Sequence, residues 1–138
     1  MTDCLNKLID MENEYLKTKR ILIVEDDMSS RLYLNKILEK TGASLLNACD
    51  GKEAIDVAKT DPGIDIILLD IQLPVIDGYG AAKIIREFRN DVIIIAQTAY
   101  SLLGDREKII ASGFDDYIVK PIFPAQLIEK LVKSVRKL

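Results

Sequence analysis

The segment Ile66-Ile67-Leu68-Leu69-Asp70 is the most informative part of the sequence for the fold, because four apolar residues in a row end on a carboxylate. A continuous apolar run of this length is typical of a strand buried on both faces of a parallel sheet. Similar runs lie on either side of it in the sequence, at 20–24 and at 92–96. We therefore expect three buried parallel strands.

The segments between these runs have the spacing of helices. Apolar residues recur there every three or four positions, and Ser29 and Ser30 can cap the first helix. Two weaker runs complete a pattern of five strands and five helices, with strands at 44–49 and 116–119 and helices at 29–40, 52–59, 79–88, 104–112 and from 124 onward. This strict alternation predicts an α/β fold with a doubly wound, five-stranded parallel sheet.

Composition excludes several classes of protein. The 138 residues are 49% apolar and 30% charged, which fits one globular domain. A net charge of −3 gives no reason to expect a nucleic-acid partner. No apolar run approaches the roughly 20 residues that span a membrane, so we expect no membrane contact by this chain. Two cysteines are too few to cross-link such a domain, which indicates a reducing, cytoplasmic compartment.

Residues 1–19 stand apart from this pattern and form an N-terminal extension or linker to the domain at 20–138. If this segment is helical, one face of the helix contains Leu5, Leu8, Ile9, Tyr15 and Leu16. Two interpretations remain open. The extension is frayed, or it is a short helix that joins the domain to another segment or, in a weak dimer, to a second copy of the chain.

The sequence contains no histidine. A histidine general base, a Ser-His-Asp triad and a histidine-ligated metal site are therefore all excluded. Any chemistry must depend on carboxylates, hydroxyls, lysine and a hard cation.

Polar side chains follow the predicted strands at the edge where α/β sheets bind ligands. Glu25 and Asp26 follow the first strand, Asp70 ends the third, Thr98 follows the fourth and Lys120 the fifth. Clustered carboxylates repel one another unless a cation offsets them, and oxygen ligands favour Mg²⁺ or Mn²⁺ over zinc. A carboxylate beside such an ion can accept a phosphoryl group as an aspartyl phosphate. The sequence therefore predicts phosphoryl chemistry at this edge.

Four segments resemble the receiver domain of two-component response regulators. They are Ile-Leu-Ile-Val-Glu-Asp-Asp at 21–27, Leu-Leu-Asp-Ile-Gln-Leu-Pro-Val-Ile-Asp-Gly at 68–78, Gln-Thr-Ala-Tyr at 97–100 and Asp-Asp-Tyr-Ile-Val-Lys-Pro at 115–121. The resemblance covers 20–138 and implies a flavodoxin-like fold with strand order 2-1-3-4-5. Residues 99–122 look most like the receiver at the end of a hybrid sensor histidine kinase.

The resemblance implies a role for each matching residue of the acidic edge. Asp70 corresponds to the phosphoacceptor and is one of the metal ligands. Asp26 corresponds to a direct ligand of Mg²⁺, Glu25 to one that acts through water, and Gln72 to the residue whose backbone carbonyl completes the metal site. The side chains of Gln72 and Tyr100 occupy positions that influence how readily water reaches the acyl phosphate, and we expect Tyr100 to shield it.

The resemblance also implies a conformational switch. Thr98 and Lys120 correspond to the hydroxyl and the ammonium that stabilise the phosphoryl group. Thr98 and Tyr117 correspond to the switch residues, with the aromatic ring buried or exposed according to phosphorylation. A cis peptide bond is expected between Lys120 and Pro121.

These features together predict a phosphoacceptor module of a phosphorelay, and not an enzyme beyond slow self-dephosphorylation. The donor is expected to be the phosphohistidine of a histidine kinase or of a histidine phosphotransfer protein. Because the sequence ends right after the last predicted helix, we expect output through contact with a downstream protein. In the family that surface corresponds to residues 92–138, which begin at Val92 and end at Leu138.

Several alternatives remain open. The chain is either a fragment of a hybrid histidine kinase or a stand-alone single-domain regulator. A degenerate receiver that acts only as a scaffold is disfavoured, because all five key positions are intact. A phosphohydrolase of the haloacid dehalogenase type uses Asp-x-Asp after its first strand, whereas Glu25 stands first here, and this chain has no room for a cap domain.

Overall fold

The structure, a computed structural model, describes residues 14–99 and 103–136, with the backbone alone for 103–105. Its strands are β1 (Arg20–Val24), β2 (Ser44–Ala48), β3 (Ile66–Asp70), β4 (Ile93–Thr98) and β5 (Asp116–Val119). Its helices are α1 (Met28–Glu39), α2 (Gly51–Thr60), α3 (Gly78–Phe88), α4 (Leu103–Ala111) and α5 (Pro124–Arg136). All strand pairs are parallel and the order is β2-β1-β3-β4-β5, which confirms the predicted fold class.

The sheet separates two hydrophobic layers. Side chains alternate along each strand, so Ile67 and Leu69 of β3 pack with helices α2 and α3. Ile66 and Leu68 of the same strand pack on the opposite face, with α1 and α5. The continuous apolar runs in the sequence therefore follow from burial on both faces.

Several element boundaries differ from the predicted ones, because aspartate side chains cap the helices. Helix α1 begins at Met28, and its cap is Asp27 rather than Ser29 or Ser30. The Asp27 carboxylate accepts a hydrogen bond from the backbone N–H of Ser30, at 2.9 Å, and one from its hydroxyl. Asp50 caps α2 in the same way, so that helix starts one residue earlier than predicted.

The packing of the domain extends into residues before β1. Residues 14–16 are helical and add a sixth helical segment to the five predicted helices within the described part of the chain. Leu16 is fully buried in the layer between the sheet and helices α1 and α5. The Tyr15 ring lies 5.5 Å from the Arg136 guanidinium. The other residues of the predicted apolar face, Leu5, Leu8 and Ile9, lie outside the described residues.

No described helix combines the length and the apolar character that crossing a membrane requires.

Candidate phosphoacceptor and metal site

Three carboxylates meet at the carboxyl edge of β1 and β3. Glu25 and Asp26 follow β1, and Asp70 is the last residue of β3. One oxygen of each carboxylate lies within 4.8 Å of the others. Glu25 and Asp70 are buried, at 2% and 3% exposure, whereas Asp26 is exposed. The proximity follows from the direct pairing of β1 with β3.

Lys120, which follows β5, brings one positive charge to these carboxylates. Its Nζ donates a hydrogen bond of 2.6 Å to Asp70 Oδ2 and one of 3.4 Å to Glu25 Oε2. Partial burial lowers the pKa of this ammonium, but the two carboxylates outweigh burial and the net pKa is raised. Lys120 therefore remains charged at neutral pH, and three carboxylates still exceed one ammonium.

Burial and this excess of negative charge both change the pKa of Glu25. Its burial, and then its hydrogen bond and repulsion with Asp70, raise its pKa from 4.5 to about 7. The Asp27 N–H donates to Glu25 Oε1 at 3.2 Å and the Arg31 guanidinium donates to the Glu25 backbone carbonyl at 2.9 Å. These contacts fix the side chain and backbone of Glu25 although they do not cancel the repulsion.

The loop after β3 fixes the orientation of Asp70. The Gln72 N–H donates a hydrogen bond of 2.9 Å to Asp70 Oδ1. Gly78 donates its N–H to the Ile71 carbonyl, and a Cβ at position 78 would lie 2.4 Å from the Asp70 carbonyl oxygen. Val75 has a φ of +70°, in the left-handed region, and the Ile76 N–H bonds to the Pro74 carbonyl around it. A tight turn therefore holds this loop against the strand end.

The ends of β4 and β5 bring the phosphoryl-stabilising candidates to the same edge. Thr98 is buried at the end of β4, and the Lys120 N–H donates to its carbonyl at 2.7 Å. Thr98 and Gln72 line a cavity of about 310 Å³ on the α3 side of the sheet. Tyr100, the other residue predicted to influence dephosphorylation, lies outside the described residues.

Tyr117 lies half-buried in the middle of β5. Its ring packs partly against the α2–α3 layer, and the Lys130 ammonium of α5 lies 5.3 Å from the ring centre. The same ammonium donates a hydrogen bond of 2.6 Å to the Tyr117 carbonyl. Tyr117 is therefore half-buried and is hydrogen-bonded to α5 through its backbone carbonyl.

The peptide bond between Lys120 and Pro121, just after β5, is cis.

Three residues of the site were not predicted from the sequence. Arg31 reaches back from α1 to the Glu25 carbonyl, and Asp27 caps α1. Gln97 is completely buried on the same sheet face as Asp70, to which it is paired in register. A polar residue inside the otherwise apolar run of β4 was the one available signal for Gln97.

The donor set fits a hard divalent cation. Each of its three candidate ligand atoms is a carboxylate oxygen, and the exposed Asp26 keeps the cluster open to solvent. Burial, and then the contact and repulsion with Asp70, raise the pKa of Glu25, and an ion with two positive charges would offset that repulsion. Mg²⁺ takes oxygen ligands of this kind and keeps several waters. These residues therefore form a candidate magnesium site.

The fold and this site together define a class of protein, the phosphoacceptor domains of signalling proteins. The chain belongs to the response regulator receiver domain family, whose model matches residues 21–132. Hybrid signal transduction histidine kinase I of Dictyostelium discoideum is 34% identical over 137 residues, covering 94% of this chain and 8% of the kinase. The chain spans about half the length of the transcriptional regulators that it also matches.

Solved receiver structures share the fold at similar identity. The receiver domain of the sensor histidine kinase PA1611 from Pseudomonas aeruginosa is 35% identical, with a TM-score of 0.77, over 87% of this chain and 98% of that one. That structure has a magnesium ion coordinated in the active site cleft. A chain in the co-crystal of Saccharomyces cerevisiae Ypd1 with the receiver domain of Ssk1 is 34% identical, with a TM-score of 0.81. The match covers 86% of the present chain and 89% of the chain in the co-crystal.

Proposed function

We propose that Asp70 of this receiver domain accepts a phosphoryl group from phosphohistidine. The observation that carries the proposal is the buried Asp70 carboxylate, which shares its edge of the sheet with two further carboxylates and the Lys120 ammonium. An aspartyl nucleophile needs a buried position beside a cation-binding site and a fixed ammonium. The alternative in which the domain is only a scaffold gives no reason for keeping this costly cluster.

The transfer is a displacement at phosphorus. An oxygen of Asp70 bonds to phosphorus while the bond from phosphorus to the donor imidazole nitrogen breaks, and the electron pair returns to the ring. Lys120, already 2.6 Å from Asp70, and the hydroxyl of Thr98 are proposed to meet the phosphoryl oxygens. Because this sequence has no histidine, the donor must be carried by another domain or protein.

Glu25, Asp26, Asp70 and the Gln72 carbonyl are proposed to hold Mg²⁺. The bound ion would neutralise negative charge on the phosphoryl oxygens. The magnesium ion in the PA1611 receiver supports this choice of metal. Mn²⁺, which takes the same oxygen ligands, is the second expectation.

The proposed donor is a histidine kinase or a histidine phosphotransfer protein. The Ypd1–Ssk1 co-crystal, in which a phosphotransfer protein is bound to a receiver, supports this proposal. We propose that the module works in the cytoplasm, since Cys49 is a free thiol. The function is that of the module, whether it belongs to a hybrid kinase or stands alone.

Output is proposed to pass through the face formed by residues 92–138. Phosphorylation would shift an existing equilibrium, with Thr98 moving toward the phosphoryl group and the half-buried Tyr117 ring moving inward. Thr98→Ala should then still accept phosphate, but the NMR shifts across α4 and α5 should be much smaller than in the phosphorylated wild type. Equal shifts in both proteins would refute this coupling.

Phosphorylation by acetyl phosphate tests the acceptor directly. The wild type should become labelled only with Mg²⁺, and Asp70→Asn should remain unlabelled. Asp56→Asn is the matched control, because Asp56 is an exposed aspartate of α2 away from the site. Stoichiometric labelling of Asp70→Asn, or labelling that is equally fast in EDTA, would refute the proposed function.

A further inference from the structure

We propose that Lys130 is a positioning residue for the Tyr117 ring, which its ammonium holds at the half-buried depth. The inference rests on the proposed function, because inward movement of this ring is proposed to carry the output signal. Its basis is a set of contacts that one ammonium of α5 makes with β5. These contacts involve both the backbone and the ring of the same tyrosine.

The backbone of Tyr117 faces the open edge of the sheet. Strand β5 comes last in the order β2-β1-β3-β4-β5, so one of its sides has no neighbouring strand among the described residues. The Lys120 N–H donates to the Thr98 carbonyl of β4, and the backbone groups of successive residues point to alternate sides of a strand. Those of Tyr117, three residues earlier, therefore point away from β4 and toward the open edge.

Two charged side chains satisfy these backbone groups. Asp116 Oδ1 accepts a hydrogen bond from the Tyr117 N–H at 2.8 Å, and Lys130 Nζ donates one to the Tyr117 carbonyl oxygen at 2.6 Å. The ammonium also lies 3.3 Å from Asp116 Oδ1, so the two side chains form an ion pair at the edge. Because hydrogen bonds from charged donors are stronger than neutral ones, this pair fixes the backbone of Tyr117 to α5. A change in the depth of the ring is then a rotation about its side-chain bonds.

The same ammonium also attracts the ring of Tyr117. It lies 5.3 Å from the ring centre, and such attraction acts within about 6 Å. The Nζ is held on the open side of β5, because the carbonyl that it contacts points there. Inward movement would take the ring further into the layer that contains Ala96, the residue of β4 paired with Tyr117. This movement leads away from the open edge, so it lengthens the contact and weakens the attraction.

The exposure of the pair sets the size of the effect. The side chains of Lys130 and Asp116 are 32% and 34% exposed, so solvent screens the ammonium in part. A cation–ring contact at such a site changes the ratio of two ring positions by about two- to fivefold. Lys130 thereby biases the equilibrium toward the half-buried ring before phosphorylation.

The test compares Lys130→Met with Lys133→Met in unphosphorylated protein. Methionine keeps an apolar stem and removes the ammonium. Lys133 is an exposed lysine that lines the same cavity between β5 and α5, so its substitution controls for the loss of one charge. The ring signals of Tyr117 are observed by NMR in protein with ¹³C-labelled tyrosine and are assigned by their loss in Tyr117→Phe.

A neutral, soluble paramagnetic agent reports the depth of the ring. It should broaden the Tyr117 signals less in Lys130→Met than in the wild type, because the ratio of inward to half-buried rings rises about two- to fivefold. Lys133→Met should match the wild type. Lys130→Arg should also match it, since a guanidinium donates to the carbonyl and attracts the ring. Unchanged broadening in Lys130→Met would overturn the proposal, and so would an equal decrease in Lys133→Met.

The wild type keeps the proposal testable if Lys130→Met does not fold. The ε-CH₂ proton signals of Lys130 should lie upfield of those of Lys133, because an aromatic ring shields protons above its face. Phosphorylation by acetyl phosphate with Mg²⁺ should move them back downfield as the ring turns inward. Lys130 signals that stay in place while those of the Tyr117 ring move would overturn the inference. Failure of the proposed function would be recognised separately, as labelling that persists in Asp70→Asn.

Discussion

The raised pKa of Glu25 predicts that this domain loses stability as the pH rises through the neutral range. The perturbation is a change from about pH 5 to about pH 8 in buffer without divalent ions, applied to the wild type and to Glu25→Gln. In the folded chain Glu25 has a pKa of about 7, against an ordinary value of 4.5. Between these two values the folded state holds a proton that the unfolded state has released.

The sign and size of the effect follow from this difference in bound protons. Stability falls with rising pH wherever the folded state binds more protons, by about 1.4 kcal/mol per pH unit for one group. Over the interval from 4.5 to about 7, the loss is on the order of 3 kcal/mol. A domain has only about 5–15 kcal/mol of stability, so the loss is readily measurable.

The composition of the chain reduces the number of other groups that titrate in this pH window. No histidine is present to titrate in it. Hydrogen bonds from Ser30 lower the pKa of Asp27, and one from Arg89 lowers that of Asp91, so both carboxyls titrate below the window. Lys120 titrates above it. Glu25 is therefore the described group whose raised pKa lies inside the window.

Urea unfolding at several pH values checks this prediction. The wild type should be most stable near pH 5 and least stable near pH 8. Saturating Mg²⁺ should restore the stability that is lost at the higher pH. Glu25→Gln should show a nearly flat profile. Asp27→Ala serves as the control, because it removes the cap of α1 and should lower stability equally across the window, with the wild-type slope. A flat wild-type profile, or a Glu25→Gln profile as steep as the wild type, would show that protonation of Glu25 does not control stability in this range.

Three further predictions follow from the same geometry. Gly78→Ala should lower the free energy of unfolding by about 1–3 kcal/mol in urea titrations, since its Cβ would lie 2.4 Å from the Asp70 carbonyl oxygen; wild-type stability would contradict this. Calorimetric affinity for Mg²⁺ should rise up to about tenfold per pH unit below about pH 7, because the proton on Glu25 competes with the ion; a constant affinity would exclude that competition. Tyr100→Ala and Tyr100→Glu should both speed loss of phosphate from Asp70 if the ring shields it, and wild-type lifetimes would show that shielding lies elsewhere.

The strands, the helices and the candidate site residues could be predicted from the sequence. Buried parallel strands need continuous apolar runs, and 66–70 and 92–96 display them without any tertiary information. Strand ends are equally local, so Glu25, Asp70 and Lys120 could be assigned to one edge of the sheet. The strand order required the resemblance to receivers, because periodicity does not specify which strands are neighbours.

Helix starts were predicted less accurately, for a local reason. Asp27 and Ser30 are both good capping residues, and sequence alone does not choose between them. The backbone at Asp27 is extended and its carboxylate reaches the Ser30 N–H, which decides the cap. The same uncertainty shifted the predicted start of α2 by one residue.

The interactions among the groups of the site depend on the tertiary structure. Lys120 meets Glu25 across 95 positions of sequence and Asp70 across 50, so their distances depend on the packing of the whole sheet. Burial and repulsion then raise the pKa of Glu25, and the register of β3 with β4 pairs Gln97 with Asp70. Residue types and strand ends are local properties that a sequence states directly. Desolvation, distance and unpaired hydrogen-bonding capacity arise only when distant strands come together.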